Sequence, residues 1–338
     1  MRTSLRTFAR ASISLARPRC AAVSPLLRSA FFFSSTMSSS AGPVLKQPVK
    51  LACIQLASGT DKQANLKRAA EHVAQAAAQG NKIVVLPECF NSPYGTKYFP
   101  QYAETLLPSP PPAAQAPSFH ALAKMAVDNK VYLVGGSIPE FNPDTKKHYN
   151  TNLIFGPDGA LLASHRKVHL FDIDIPGKVT FRESDVLSPG NKVTIVDLPE
   201  YGKIAVAICY DLRFPELATI AARHGAFALI YPGAFNTTTG ALHWRLLGQA
   251  RAVDNQIYVA LCSPARDVNC DYPAWGHSLV VDPMAKVLVE ADENETIVEW
   301  ELENDKIAET RRNIPLNTQR RFDVYPDVSK GEIEFEKP

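Results

Sequence analysis

The stretch from Gly202 to Glu216, GKIAVAICYDLRFPE, constrains the fold of this chain more than any other segment. Its residues 203–209 are apolar after the first lysine and include three β-branched side chains. Such a short apolar run is typical of a strand buried on both faces of a sheet. Polar residues and then Phe214-Pro215 follow, and a helical pattern begins at Glu216. The stretch predicts a buried strand, a turn and a helix, which together are the repeating unit of an α/β fold.

Cys209 lies where this strand is predicted to end, on the turn into the helix. A cysteine in that position would face a cleft, and the main-chain N–H groups of the turn would point towards negative charge. This geometry predicts a thiol pKa below the free value of about 8.5. An isolated buried cysteine is more often structural, so the role of Cys209 depends on what the rest of the chain places near it.

The remaining sequence alternates between strand and helix patterns from residue 50 onwards. Predicted strands cover 51–56, 82–86, 131–138, 150–155, 160–165, 193–197, 203–208, 227–232, 256–262, 278–281, 286–290 and 296–300. Predicted helices cover 61–79, 118–129, 216–224, 241–255 and 305–313. The charged segment between 166 and 190 lacks periodicity and predicts a long functional loop. We therefore expect one α/β domain over 46–338 with mixed parallel and antiparallel sheets.

Residues 1–45 differ in kind from this domain. They contain six arginines, many serines and alanines, and no acid, since the first acidic residue is Asp61. An Arg- and Ser-rich segment without acids resembles a mitochondrial transit peptide, although a disordered basic tail is an alternative. Met37 opens the segment MSSSAGP, so a start there would give a cytoplasmic form without the leader. We expect a mitochondrial protein with a possible second, cytoplasmic product.

Composition and charge argue against several other classes of function. Subtracting the six leader arginines from the formal net charge of +2 leaves −4 for residues 46–338, which gives no basic face for nucleic acid. No apolar run reaches the 18 residues of a membrane span. The six cysteines contain no C-x-x-C pair, so a zinc site and a disulfide framework are both poorly supported. A G-x-S-x-G elbow and a phosphate-binding glycine loop are likewise missing from the sequence.

Three positions at predicted strand ends carry complementary chemistry. Glu88 follows the strand at 82–86, Lys167 follows the hairpin, and Cys209 follows the strand at 203–208. A carboxylate, an ammonium group and a thiol that meet supply a general base, an oxyanion stabiliser and a nucleophile for acyl transfer. Each also has a structural alternative: Glu88 could cap a helix, and Lys167 could belong to a basic surface cluster with its neighbours.

Several segments of the chain resemble the nitrilase (carbon–nitrogen hydrolase) superfamily. They are LPECFNSPY at 86–94, HRKVHLFDIDIPG at 165–177, FRESDVLSPG at 181–190, ICYDLRFPEL at 208–217, PGAFNTTTG at 232–240 and HWRLLGQARAVDNQ at 243–256. The resemblance runs from about residue 49 to 325 and is strongest to the omega-amidase branch. It implies a four-layer α-β-β-α sandwich that pairs into a homodimer through helices near the nucleophile strand. It implies no metal and no organic cofactor.

The resemblance also assigns roles to individual residues. It implies that Glu88 is the general base, Lys167 the oxyanion cation and Cys209 the nucleophile. It places a second glutamate, Glu183, beside the lysine, and makes the Tyr210 N–H an oxyanion donor. The residues that it implies for the substrate pocket are Tyr94, Tyr210, Arg213, Phe235 and Thr239.

The implied substrates are short dicarboxylate monoamides such as 2-oxoglutaramate and 2-oxosuccinamate, because Arg213 could bind the carboxylate end. Arg213 could instead form an ion pair with Asp211 or Glu216, and Tyr94 and Phe235 could be core aromatics. His243, Trp244 and Arg251 are interpreted as packing or interface residues. Three alternative functions stay open: an amidase for deaminated glutathione, a true nitrilase or N-carbamoyl amide hydrolase, and a catalytically silent binding protein.

Overall fold

Two β-sheets packed face to face form the centre of the molecule. The computed structural model describes residues 42–177, 179–321 and 323–324, so the predicted leader up to residue 41 lies outside the described residues. The first sheet has the order β15-β1-β2-β3-β5-β4, with β6 paired to β5. Its strands are β1 (Val49–Gln55), β2 (Ile83–Val85), β3 (Tyr132–Val134), β4 (Ile138–Asn142), β5 (Lys147–Phe155), β6 (Leu161–Arg166) and β15 (Thr296–Leu302).

The second sheet has the order β14-β13-β12-β11-β10-β9. Its strands are β9 (Thr194–Leu198), β10 (Gly202–Val206), β11 (Ala226–Pro232), β12 (Tyr258–Cys262), β13 (Leu279–Val281) and β14 (Val287–Glu290). In both sheets three central strands are parallel, β1-β2-β3 and β10-β11-β12, and antiparallel strands flank them. The expectation of mixed sheets is therefore confirmed.

The described residues contain eight helices, four of which cover the outer faces of the two sheets. The helices are α1 (Lys62–Ala78), α2 (Phe99–Tyr102), α3 (Pro117–Asn129), α4 (Pro215–Arg223), α5 (Thr237–Thr239), α6 (Arg245–Asn255), α7 (Asn304–Asn313) and α8 (Leu316–Gln319). Short 3-10 turns cover Glu183–Asp185 and Cys209–Arg213, and a π-helical turn, Gly240–Trp244, leads directly into α6.

Three apolar clusters divide the fold into four layers. One cluster fills the space between the two sheets and includes Val85 from β2 and Ile230 from β11. A second joins the first sheet to α1 and α3, and a third joins the second sheet to α4 and α6. This order of helix, sheet, sheet and helix is the predicted α-β-β-α sandwich. Burial of apolar side chains in all three clusters is the main force that holds the layers together.

Two local predictions were wrong. The strand at 203–208 ends earlier, at Val206, because the chain leaves the sheet to form the 3-10 turn that begins at Cys209. The segment between 166 and 190 is more ordered than a loop, since β7 (Asp172–Ile175) and β8 (Val179–Arg182) form an antiparallel two-stranded sheet. Its side chains alternate between half-buried and exposed along both strands, a pattern too short to recognise in the sequence.

Neither a membrane-spanning helix nor a cluster of metal-ligating side chains occurs in the described residues. None of the helices between residues 42 and 324 is long and apolar enough to cross a bilayer. Over the same range, no group of three or more histidine, cysteine or acidic side chains could hold a metal ion.

Candidate active site

Cys209 sits on a strained turn just after β10, the strand next to the edge of the second sheet. The main chain continues past β10 as far as Ala207, whose N–H donates to the Ile230 carbonyl at 3.1 Å. Cys209 then adopts a left-handed conformation with φ of 47°, which is unusual for a residue other than glycine. A Cβ atom at Gly233 would lie 3.0 Å from the Cys209 Cα, so the neighbouring strand end packs tightly against this turn. The turn therefore holds the thiol in one place.

Glu88 lies at the corresponding end of β2 in the first sheet, and its buried carboxylate is held from three sides. Its Oε1 accepts hydrogen bonds from Asn150 Nδ2 at 2.8 Å and from Lys167 Nζ at 3.1 Å. Its Oε2 accepts one from the Ala234 N–H at 2.7 Å. The carboxylate lies close enough to the Cys209 thiol to raise the pKa of that thiol. Glu88 thus caps no helix, and its orientation towards the thiol is determined by both sheets.

Lys167 is fully buried, so it does not belong to a surface cluster. Its Nζ lies 3.1 Å from Glu88 Oε1 and 2.9 Å from Glu183 Oε1. Its main chain is bound on both sides, because its N–H donates to the Asn150 carbonyl and its own carbonyl accepts from the Gly190 N–H, both at 2.8 Å. A buried ammonium group requires such partners, since desolvation of an unpaired charge is very unfavourable.

Glu183 holds the other side of the ammonium group. It begins the 3-10 turn after β8 and is fully buried. Its Oε1 also accepts a hydrogen bond from the Tyr94 hydroxyl at 2.6 Å, and its Oε2 accepts one from the Phe171 N–H at 2.7 Å. The structure therefore brings Glu88, Lys167, Glu183 and Cys209 together, although they come from four separate segments of the chain.

Burial and charge set the protonation of this cluster. Burial raises the pKa of Glu88, and the nearby Lys167 ammonium opposes part of that rise. Burial alone would lower the pKa of Lys167, but Glu183 and Glu88 outweigh it and raise that pKa well above its usual value. Burial, together with the Glu88 carboxylate, raises the pKa of the Cys209 thiol well above its usual value. The prediction of a lowered thiol pKa was therefore wrong, because desolvation and two carboxylates outweigh the turn and the lysine.

A narrow pocket opens at Cys209. Its lining residues are Phe171, Cys209, Tyr210, Arg213, Ala234, Phe235, Thr239 and Tyr272. Four of the five predicted substrate-binding residues line this cavity. The fifth, Tyr94, lines a neighbouring cavity with Glu88 and contacts the site through Glu183.

Several residues that the sequence did not indicate contribute to the site. Phe171 lies within the segment HRKVHLFDIDIPG, which resembles the nitrilase superfamily, so the sequence could have indicated it. Asn150 orients Glu88 from the middle of β5, and Tyr272 lies on a loop outside every motif. The Tyr272 hydroxyl donates to the Ala234 carbonyl at 2.8 Å, which places its ring between the two cavities.

Arg213 points into the cavity with part of its guanidinium group unsatisfied. Its Nη1 lies 3.2 Å from His243 Nδ1, and its Cζ lies 4.9 Å from the centre of the Phe235 ring. Its buried Nε has no hydrogen-bond partner among the described residues. Within residues 42–177 and 179–321 it forms no ion pair with Asp211 or Glu216, so that alternative was wrong. The guanidinium group is therefore available to an anionic ligand.

His243, Trp244 and Arg251 belong to the helical segment behind the site. Two of them have the predicted packing role. Trp244 is fully buried and its Nε1 donates to the His277 carbonyl at 2.8 Å. Arg251 Nε donates to the Leu212 carbonyl at 2.9 Å. His243 differs from these residues because it contacts the side chain of Arg213 at the cavity.

The chain matches the carbon-nitrogen hydrolase family over residues 50–312. It belongs to this family. The matched range contains all four members of the buried cluster and the whole cavity lining. The protein therefore belongs to a family of hydrolases that act on carbon–nitrogen bonds.

Curated relatives and a solved structure are similar over nearly their whole length. The omega-amidase NIT3 of Saccharomyces cerevisiae is 54% identical over 293 residues, which cover 86% of this chain and 99% of that protein. The human omega-amidase NIT2 is 51% identical over 289 residues, with 86% and 99% covered. The crystal structure of S. cerevisiae Nit3, a member of branch 10 of the nitrilase superfamily, matches with a TM-score of 0.76 and 51% identity, covering 84% of this chain and all of that one.

Proposed function

We propose that this protein is an omega-amidase that hydrolyses the terminal amide of short dicarboxylate monoamides, such as 2-oxoglutaramate and 2-oxosuccinamate, to the dicarboxylate and ammonia. The observation that carries this proposal is the unsatisfied guanidinium group of Arg213 in the same small cavity as the Cys209 thiol. Such a substrate would place its amide at the thiol and its carboxylate at the guanidinium group. Relatives at 51–54% identity that are named omega-amidases support the same assignment.

The first half of the reaction forms a thioester. Cys209 Sγ attacks the amide carbonyl while its proton passes to Glu88, and Lys167 together with the Tyr210 N–H stabilises the oxyanion. Glu88 then gives the proton to the leaving nitrogen, the C–N bond breaks, and ammonia departs. Because burial and the nearby Glu88 raise the pKa of the Cys209 thiol, proton transfer to Glu88 accompanies the attack.

The second half returns the enzyme to its starting state. Glu88 takes a proton from water, which attacks the thioester carbonyl, and Lys167 again stabilises the oxyanion. The C–S bond breaks, the proton on Glu88 returns to the sulfur, and the carboxylate product leaves. Glu183 does not exchange protons in this scheme. It keeps the ammonium group charged and in place through its 2.9 Å contact.

The substrate assignment is tested by comparing a charged and a neutral amide. We expect Arg213→Met to lower kcat/KM for 2-oxoglutaramate by about 10- to 100-fold, because a charge-assisted contact contributes about 1.5–3 kcal/mol. The kcat/KM for a neutral amide of similar length, such as pentanamide, should change by less than about threefold. Arg213→Lys should recover only part of the loss, since lysine lacks the planar fork.

Equal losses for both substrates would contradict the carboxylate clamp and leave only an amidase of undefined specificity. The same assay should include deaminated glutathione, a longer amide, because Arg213 and Cys209 line one narrow pocket. A higher kcat/KM for deaminated glutathione than for 2-oxoglutaramate would favour that alternative.

Cys209→Ala tests whether the protein is a catalyst or a silent binding protein. We expect ammonia release to fall to the background rate while the protein stays folded, because the variant lacks the nucleophile and loses only one sulfur atom. Cys89→Ala is the matched control: Cys89 is a buried cysteine next to Glu88 and should keep most of the activity. Wild-type protein that releases no ammonia from any amide would support the silent alternative.

The leader is proposed to direct the protein to mitochondria, with a second form that starts at Met37. The six arginines and the absence of acids before Asp61 support this proposal. A fluorescent reporter fused to residues 1–45 should colocalise with a mitochondrial dye. A diffuse cytosolic signal would rule out import.

A further inference from the structure

Asp211 is a fully buried carboxylate that the catalytic scheme does not use. Its Oδ1 accepts hydrogen bonds from the His169 main-chain N–H and from His169 Nδ1, both at 2.8 Å. Its Oδ2 accepts from the Ile208 N–H at 3.0 Å and lies 3.2 Å from His165 Nε2. A fifth, longer contact of 3.5 Å comes from the Val168 N–H.

These contacts join the two chain segments that carry the reacting groups. Ile208 directly precedes Cys209, whereas Val168 and His169 directly follow Lys167. The Lys167 segment extends from β6 of the first sheet, and the Cys209 turn extends from β10 of the second. One carboxylate therefore binds the main chain of both sheets, at the point where the lysine and the thiol must meet.

Asp211 can join the two segments in its ionised form, because each of its hydrogen-bond partners is a donor. Burial favours the neutral form, but the hydrogen bonds of His165 and His169 outweigh it and hold the pKa of Asp211 well below its usual value. The second nitrogen of His165 lies 2.9 Å from Thr194 Oγ1, and the His169 ring stacks on Phe214 with centroids 3.5 Å apart. Both imidazoles are thus fixed in the orientation that faces Asp211.

We propose that Asp211 is a positioning residue that sets the distance between the Lys167 ammonium group and the Cys209 thiol. This inference rests on the proposed amidase function for its kinetic consequences. The substrate end of the same turn is held separately, because Arg251 binds the carbonyls of Leu212 and Arg213. Loss of Asp211 should therefore misplace the reacting groups and leave the carboxylate-binding end in place.

The central test is Asp211→Asn, which keeps the shape but turns one acceptor oxygen into an NH₂ donor. That group must then face either the His169 pair or the Ile208 N–H, so one connection breaks. We expect kcat to fall by about 10- to 100-fold, because a shift of the reacting groups by about 1 Å has that effect. Here kcat is expressed per thiol titrated in folded protein. The KM should change by less than about threefold for both charged and neutral amides.

Asp282→Asn is the matched control for loss of a buried aspartate. Asp282 is 2% exposed and accepts the N–H groups of Met284 and Lys286 in the turn between β13 and β14. We expect this variant to lower Tm while kcat per titrated thiol stays within about twofold of wild type. An equal loss of kcat in both variants would overturn the positioning role.

A pair of variants at His169 keeps the test valid if Asp211→Asn fails to fold. His169→Ala removes one donor from a half-exposed side chain and should lower kcat by about three- to tenfold. His169→Asn can place an amide N–H near the position of Nδ1 and should recover at least half of that loss. Unchanged kcat in His169→Ala, or no recovery in His169→Asn, would contradict the proposal.

Alkylation of Cys209 separates this proposal from the proposed function, because it needs no substrate. The rate of carbamidomethylation by iodoacetamide, followed by peptide mass spectrometry, should fall about fivefold or more in Asp211→Asn, since Glu88 no longer meets the thiol. It should stay unchanged in Asp282→Asn. If wild-type protein hydrolyses no amide, the proposed function fails while this readout still tests the position of Cys209. An unchanged alkylation rate in folded Asp211→Asn would overturn the positioning role.

Discussion

At the scale of single residues, the site depends on one buried ammonium group between two buried carboxylates. Lys167 contacts Glu88 and Glu183 at 3.1 and 2.9 Å, and Glu88 also lies near enough to raise the pKa of the Cys209 thiol. The lysine compensates for the cost of burying both acids, yet desolvation still raises the pKa of Glu88. At a pH above the raised pKa of Glu88, the resting state is therefore a neutral thiol beside an ionised base, and not a preformed thiolate.

This protonation state predicts the dependence of activity on pH. Glu88 must be ionised to accept the proton, so kcat/KM for a neutral amide should rise with pH through an apparent pKa above 4.5, the ordinary value for glutamate. The raised pKa values of Cys209 and Lys167 mean that neither group loses its proton below about pH 9. We therefore expect a plateau from the acidic limb to about pH 9.

Steady-state rates of pentanamide hydrolysis between pH 4 and 9.5, with a stability check at each pH, would measure this profile. A rate that rises through a pKa near 8.5 would instead indicate a titrating thiolate, and would contradict the assignment of Glu88 as an ionised base beside a neutral thiol.

At the scale of secondary-structure elements, the reacting groups are held where strands end in tight turns. Glu88 follows β2 and Cys209 follows β10, and the residues Cys89 and Cys209 both have positive φ, of 52° and 47°. Glycines make room for these turns. Gly136 has φ of 64°, and a Cβ atom there would lie 2.1 Å from the Pro87 carbonyl oxygen. The strand ends thus approach each other too closely for any side chain.

Gly136→Ala should therefore disturb both stability and catalysis. The left-handed conformation costs about 1–2 kcal/mol for alanine, and the clash with Pro87 adds to this and shifts the adjacent Glu88. We expect a lower free energy of unfolding in urea and a kcat at least about tenfold below wild type.

Gly225→Ala is the matched control, because Gly225 has φ of 88° but no atom within 4 Å of its added Cβ. It should lose about 1–2 kcal/mol of stability and keep its kcat. If Gly136→Ala keeps full kcat, the strand ends do not position Glu88 as closely as the geometry suggests.

The sequence predicted most elements of the fold but fewer features of the site. Short apolar runs bounded by turns identified the strands, and their ends pointed to Glu88, Lys167 and Cys209. Only the resemblance indicated Glu183, because its segment has no periodicity. Asn150 and Tyr272 could not be found, since each contacts the site only through the fold. The thiol pKa was predicted in the wrong direction because local sequence shows the turn but not the burial or the two carboxylates.

At the scale of the whole molecule, an exposed apolar stripe lies on the helix behind the active site. The π-helical turn and α6 carry Leu242, Leu246 and Val253, which are 61%, 60% and 42% exposed. Their spacing of four and seven residues places them on one helical face. We propose that this face pairs with its copy in a homodimer, because large exposed apolar patches mark interaction sites.

Leu246→Glu tests this proposal, since a charge at the centre of a self-complementary face meets its own copy across the two-fold axis. Light scattering should give twice the chain mass for wild type at micromolar concentration and a single chain mass for the variant. Leu162→Glu, an exposed leucine on β6 at 40% exposure, is the control and should stay dimeric. Monomeric wild type would contradict the proposal.

The buried, protonated thiol of Cys209 also affects how long the enzyme survives oxidants. Peroxides react with thiolates that solvent can reach, and Cys209 is 2% exposed with a raised pKa. The sulfur becomes nucleophilic only when Glu88 accepts its proton. We therefore expect hydrogen peroxide to inactivate the enzyme far more slowly than a cysteine enzyme with a preformed thiolate. The same burial that makes the nucleophile weak at rest thus protects it between turnovers.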